Sequence, residues 1–276
     1  MFNKIICVAA AFAAISTGEV PLSPPDNVTI SDLRPLNKVA EELIARYGAR
    51  VSYEDVSAYN YAGDLDKSTN LPRSSGLSIS FAGLPRPKYD ETWKAQQSAD
   101  PSRVKTLLQA ILNQHERNGN PGRFKIVDTE NGMVIVPTAT RDSTGTFVPD
   151  QSVLDQRISF PEVSSTSIGV LLTAFCKALS AATGKHVYTH VGFGNTQARI
   201  GANNEVARDA LARMLNTQQW NGMGITINFI GKPANETTWV LMTKPDGYEL
   251  DIRQVNVEFT WASGHITGVP ISLPKP

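Results

Sequence analysis

The densest set of side chains able to do chemistry lies in one tyrosine-rich stretch: Glu54 and Asp55, then Asp64 and Asp66, interleaved with Tyr53, Tyr59 and Tyr61. Carboxylates gathered in a cleft could act as general acid and base on a glycosidic bond, a chemistry that needs the two groups within about 10 Å. The same oxygens could hold calcium beside stacking aromatics. A calcium loop wants oxygen ligands at alternate positions around a glycine, and only Gly63-Asp64-Leu65-Asp66 has a trace of that spacing. The plainer reading is a polar strand end followed by a tyrosine-anchored surface loop. These seven residues are the binding candidates, and the chemistry they support is hydrolysis, or the binding of carbohydrate or calcium.

Other reactive types are less well placed. His186-x-x-x-His190 would face one way on a helix, but it falls on a predicted strand. Four residues there span about 13 Å, so the two imidazoles cannot share one ion. Cys176, beside Phe175 and near Leu179, is expected to be a buried core thiol, because a reactive thiolate calls for cationic surroundings. Gly192-Phe193-Gly194-Asn195 lacks the lysine and the following helix of a phosphate loop. Ser164 to Ser167 are expected to cap a helix, having no paired base that would make them nucleophiles. His115 and His265 stand apart. No catalytic residue, metal site or cofactor is assigned. The charge is balanced at 26 basic and 26 acidic residues, which argues against nucleic acid as a partner.

The elements that must position these groups repeat along the chain. Apolar residues at Val104, Leu107, Leu108, Ile111 and Leu112 make one face of a helix, capped by Asp100 with Pro101 in its first turn. Ala207, Ala210, Leu211, Met214 and Leu215 make another, with Asn203 or Asn204 as its cap. Leu211 follows Leu108 by 103 residues, and Gly222 follows Gly119 by the same interval. Strands are predicted after each stop: Phe124, Ile126 and Val134 to Val136 in the first case, Ile225 to Phe229 and Trp239 to Met242 in the second. An earlier helix, Leu36 to Tyr47, opened by Ser31 or Asp32 and ended by Gly48, has its echo in Leu172 to Ala182, ended by Gly184. Here the interval is 136 residues, so the first copy holds extra sequence, placed in the polar stretches 57–75 and 88–99.

Each copy then reads strand-helix-strand-strand-helix-strand-strand. The fold class is α+β: two related modules, each a small mixed sheet with two helices on one face, plus a C-terminal strand or hairpin. Residues 142–150 are the expected linker. Val255, Val257, Phe259 and Trp261 alternate on the final strand, which makes them candidates for strand addition to a partner.

The second copy carries Ile158-Ser159-Phe160, the helix from Leu171 to Gly184, the segment His186 to Val191, and Arg208 to Asn216 before a closing pair of strands. In this it resembles the short N-terminal domain (STN-like) shared by secretins and TonB-dependent receptors; the first copy matches more loosely. The resemblance implies an extracytoplasmic module that signals or assembles by protein contact and does no chemistry. With no barrel or secretin channel after the module, only the interaction role carries over. The segment Arg46 to Leu65 also looks like exported bacterial proteins of unknown function.

Residues 1–18 combine Lys4, an apolar run from Ile5 to Ile15 and then small residues. The run is too short to span a bilayer of about 30 Å, so it is expected to be a cleaved signal peptide that takes Cys7 with it and sends the protein to the periplasm or beyond. No later segment is apolar enough to cross a membrane as a helix. The expected organisation is a signal at 1–18, a first module at 19–145 with inserted loops, a second at 146–250, and a strand and tail at 251–276. The function this supports is non-catalytic interaction or assembly with a protein partner in the cell envelope, with an envelope hydrolase or carbohydrate/calcium-binding protein using 53–66 as the alternative.

Overall fold

The computed structural model describes residues 27–68, 70, 72–73, 75–80, 100–190, 195–217, 220–221, 237–254, 257–262 and 265–270. The first half runs β1 (Asn27–Asp32), α1 (Pro35–Tyr47), β2 (Val51–Glu54), β3 (Ser75–Ser80), α2 (Pro101–Arg117), β4 (Arg123–Thr129), β5 (Gly132–Arg141) and a short β6 (Phe147–Pro149). The second runs β7 (Arg157–Ser167), α3 (Ile168–Thr183), β8 (Val187–Tyr188), β9 (Asn195–Val206), α4 (Ala207–Thr217), β10 (Trp220–Asn221), β11 (Thr237–Lys244) and β12 (Gly247–Gln254). A last hairpin pairs β13 (Val257–Ala262) with β14 (His265–Pro270). The class is α+β, as expected.

Local signals set several boundaries. The Asp32 carboxylate accepts the Arg34 N–H at 2.8 Å, and Pro35, which has no N–H to leave unsatisfied, opens α1. Asp100 caps α2 by accepting the Ser102 N–H at 2.9 Å, again with proline at the first turn. Gly48 and Gly184 end α1 and α3 in the left-handed conformation, at φ 59° and 67°. The cap of α4 differs from expectation: Asn203 and Asn204 lie inside β9, which runs directly into the helix at Ala207. Ser167 stands at the N-cap of α3 without using its hydroxyl as a cap.

Within each half the strands pair in the same way. β1 lies antiparallel to β3, as β7 does to β9. The hairpin β4–β5 receives β2 parallel to β5, and the hairpin β11–β12 receives β8 parallel to β12. The two trios then join, because β2 also runs parallel to β11, with Tyr53 opposite Val240 and Glu54 opposite Leu241. One sheet results, ordered β4-β5-β2-β11-β12-β8, with β6 alongside β5.

Following the strand directions, the second trio is turned end for end relative to the first. Its helices accordingly cover the opposite face. Met133, Ile135 and Val240 pack with α1, α2, β1 and β3, whereas Val134, Val136, Trp239 and Leu241 pack with α3, α4, β7 and β9. The layers are therefore a two-stranded ribbon, a helix pair, the long sheet, a second helix pair and a three-stranded sheet. In each half, β-strand alternation sends odd and even residues to different cores.

Two glycines mark the equivalence. Gly132 and Gly247 each begin the second strand of a hairpin with positive φ, at 116° and 150°. A Cβ on Gly132 would meet the Arg50 carbonyl oxygen at 2.5 Å, and one on Gly247 would meet the His186 carbonyl oxygen at 2.0 Å. Those same carbonyls accept the N–H groups of Met133 and Tyr248. Gly247→Ala is expected to lower the urea midpoint by an amount equivalent to about 1–3 kcal/mol, the range for enforced backbone strain, and Gly132→Ala to act alike. Wild-type midpoints for both would show that the backbone approach is not tight.

The small sheet expected in each module is thus divided: β1–β3 and β7–β9 stay apart, and the two trios fuse into one sheet. Residues 142–150 are not a linker: Asp142 to Thr146 form a turn whose N–H groups bond the Asp142 carboxylate, and β6 pairs back on β5. Trp239 to Met242 lies on the first strand of its hairpin, turned at Pro245-Asp246 to meet β12, which runs on to Gln254, past the boundary at 250 expected for the second module. The predicted strand 225–229 and its glycine stop Gly222, the turn at Lys232-Pro233, the insertion 88–99, residues 1–18, Gly192 to Gly194 and Val255 lie outside the described residues.

Candidate functional site

Glu54 and Asp55 are consecutive at the end of β2, so strand alternation sends them to opposite faces of the long sheet. Both are fully buried, and each is held by its own arginine.

Glu54 points at α4. Arg208 meets it with two parallel bonds, Nε to Oε1 at 2.7 Å and Nη2 to Oε2 at 2.6 Å, and the third guanidinium nitrogen reaches Asp155. The indole N–H of Trp239 also donates to Oε1 at 3.4 Å. Burial works against the Arg208 charge, but the Glu54 and Asp155 carboxylates outweigh it and raise its pKa. Planar two-point geometry is what makes an arginine suited to this position.

Asp55 points into the first core. Its Oδ1 accepts from the hydroxyls of Tyr53 at 2.9 Å and Tyr59 at 2.6 Å and from the Val56 N–H at 3.1 Å. Its Oδ2 accepts from Arg34 Nε at 2.6 Å and the Thr243 N–H at 3.3 Å. Arg34 continues to the Thr243 carbonyl at 3.0 Å, clamping the end of β11. Burial, followed by the adjacent Asp55 charge, pushes both tyrosine pKa values up, so the phenols stay protonated donors. Five donors saturate the carboxylate.

The remaining acids lie elsewhere. Asp64 ends a single 3-10 turn, Ala62–Asp64, where Arg141 Nη1 approaches it at 3.3 Å. Its pKa is raised by burial, opposed by Arg141 and Arg73. Tyr61 packs under this corner, its ring against Gly63 and Gly145 and 5.7 Å from the Arg141 guanidinium. Asp66 lies one turn on, where it accepts the Ser68 N–H at 2.8 Å. The seven candidates therefore occupy four settings, and no arrangement of Glu54, Asp55, Asp64 and Asp66 around one cleft is formed. Among the described residues no group of three or more acids, histidines or cysteines is placed to hold a metal ion.

An open groove is lined by none of the seven. It encloses about 720 Å³ beside β7 and β9, between Arg157, Glu162, Arg199, Glu205 and Arg213. Its arginines are engaged: Arg213 with Glu205 at 2.6 Å, Arg199 with Glu162 at 3.4 Å, Arg157 with the Asn204 carbonyl at 2.6 Å.

His186 and His190 flank Tyr188 on an exposed edge and face separate carboxylates, Asp246 at 3.8 Å and Glu249 at 3.6 Å. Cys176 is buried in the second core, and burial pushes its thiol up to about 12. Trp239 is a core residue, 1 % exposed. Of the strand-addition candidates, Val257, Phe259 and Trp261 lie on β13, which pairs with β14 from Val257 opposite Pro270 to Ala262 opposite His265.

His115, which carries no sequence pattern, is buried on α2 edge-on to Phe124, and burial lowers its pKa to about 4. Its folded pKa thus lies below the unfolded value near 6.5. Its neutral form favours folding above that value, and the advantage is lost as pH falls from 6.5 to 4, about 3 kcal/mol in all. His115→Leu is expected to flatten this part of the stability–pH curve. An unchanged slope between pH 6.5 and 4 would place the sensitivity in other groups.

Sequence reasoning singled out Glu54 and Asp55 but neither their burial nor their partners. Arg208 is 154 residues from Glu54, and Arg34 is 21 from Asp55. No spacing rule links such residues. No family model matches the chain, and no curated protein or solved structure is significantly similar to it.

Proposed function

We propose that the protein is a non-catalytic assembly module of the bacterial envelope, built from one folding unit used twice and acting by contact with a protein partner. The observation that carries this reading is how the candidate acids are used. Glu54 and Asp55, the two carboxylates best suited to acid–base work, are saturated by structural partners that tie β2 to α4 and to β11. Among the described residues the outer edge of β4, at one end of the long sheet, has no neighbouring strand, and such an edge is the kind of surface to which a partner adds a strand. The apolar stretch at residues 5–15 supports export. The described helices support the absence of a spanning helix, since none is long and apolar enough to cross a membrane.

The test is site-specific photo-crosslinking in intact cells, with the reactive residue at Lys125 on β4 or at Phe259 on β13. A discrete crosslinked protein at one of these positions, absent when the residue is placed at exposed Val170, is the expected result. Labelling that is the same at all three positions would overturn an assembly role.

A further inference from the structure

The junction between the halves shows what kind of strand a β4-type edge accepts. At that junction β2 lies parallel to β11, the Asp55 N–H donates to the Leu241 carbonyl at 2.9 Å, and the Glu54 carboxylate reaches Arg208 on the helix behind. β4 holds the place in the first half that β11 holds in the second. Both precede a positive-φ glycine, with Thr129 opposite Gly132 and Lys244 opposite Gly247. In that register Ile126 corresponds to Leu241 and Lys125 to Val240.

Behind β4, the 103-residue interval between the helices puts Lys105 in the position of Arg208. Among the described residues nothing pairs with the outer edge of β4, which carries exposed Arg123 and Lys125. Lys105 is bonded to Asp128, a pair exposed on both sides and therefore readily exchanged.

We propose that the β4 edge receives an extended segment of a partner protein, parallel to β4, that presents a carboxylate to Lys105 as β2 presents Glu54 to Arg208. This rests on the assembly reading above and names its site. Arg123 is engaged by Glu116 at 2.9 Å, so Lys125 and the exchangeable Lys105 are the cations that favour an acidic strand over a basic one.

The chain's own second copy suits it poorly. A repeat of the internal junction would bring β8 to β4, with His190 where β2 has Glu54. The Ser180 hydroxyl already accepts the Val187 N–H at 2.9 Å and donates to the Val187 carbonyl at 3.2 Å. The histidine would face lysines, and part of the edge is sealed by the protein's own helix.

The probe is a fluorescent peptide of residues 49–57, Ala-Arg-Val-Ser-Tyr-Glu-Asp-Val-Ser, titrated onto the intact protein. Saturable binding is expected, weakened at least tenfold by Glu54→Lys in the peptide or by Lys105→Glu in the protein, with affinity recovered when the two reversals are combined. Amide exchange at Ile126 should slow when the peptide binds. Binding indifferent to Lys105→Glu, or protection that leaves Ile126 unchanged, would overturn the proposal. Concentration-dependent self-association abolished by Lys105→Glu would also overturn it, by giving the edge to a second copy. No peptide binding alongside a specific crosslink at Phe259 overturns this site alone; loss of both overturns the assembly reading as well.

Discussion

Replacing Arg208 with methionine is expected to destabilise the protein by about 3–5 kcal/mol, because it leaves a buried carboxylate without its counter-charge. Glu54 is fully buried and receives both of its strong bonds from that one guanidinium, with only the 3.4 Å indole contact besides. The double variant Glu54→Leu/Arg208→Met should recover most of the loss, since an apolar pair of similar volume avoids taking two charges out of water. Urea unfolding of the wild type, both single variants and the double variant measures this as a coupling energy. A single-variant cost below about 1 kcal/mol would mean that water reaches the pair, as it does at surface ion pairs. The expected pattern would identify the link as what fastens α4 of the second half to β2 of the first.

The second large effect is expected at Asp55. Asp55→Ala strands Arg34, Tyr53 and Tyr59 together and should cost about 3–5 kcal/mol, as other broken buried charge networks do. Asp55→Asn keeps the shape, so part of the network survives and the cost is smaller. Tyr59→Phe removes one hydroxyl donor from a carboxylate, worth about 1.5–3 kcal/mol. The order Ala, then Asn, then Tyr59→Phe in thermal unfolding is the outcome to check. If Asp55→Ala proves no worse than Tyr59→Phe, the carboxylate is not the hub of the network.

Local order was legible from the sequence. The glycines at 48 and 184 lie where helices were predicted to stop, and the 136-residue interval between them also relates Arg50 to His186, whose carbonyls meet the two positive-φ glycines. What could not be read was partnership at a distance. Helical periodicity reports which face of α4 is apolar, but it is silent on why Arg208 interrupts that face. Only the neighbouring half supplies the reason.

The same limit hid the shared sheet. β2 is only four residues, Val51 to Glu54, and a sequence reading pairs strands with near neighbours, whereas Ser52 and Trp239 meet 187 residues apart. The second hairpin was hidden by a different cause. The sequence reading pairs Trp239 to Met242 with the alternation at 225–229, whereas the Pro245-Asp246-Gly247 turn followed by the alternation Tyr248, Leu250 and Ile252 marks β12 as its partner.

The insertion of β2 between β5 and β11 bears on how the polypeptide is made. During synthesis the N-terminal trio emerges with one side of β2 exposed and Glu54 lacking its arginine, and it stays so until residues 208 to 244 arrive. Closing so long a loop is slow, because the entropy of the intervening chain is lost before the contacts that reward it form. A nascent chain in that condition is a substrate for holding factors and a poor candidate for early folding. Maturation should therefore be post-translational and all at once, with amber truncations before residue 237 degraded and not accumulated as a stable half.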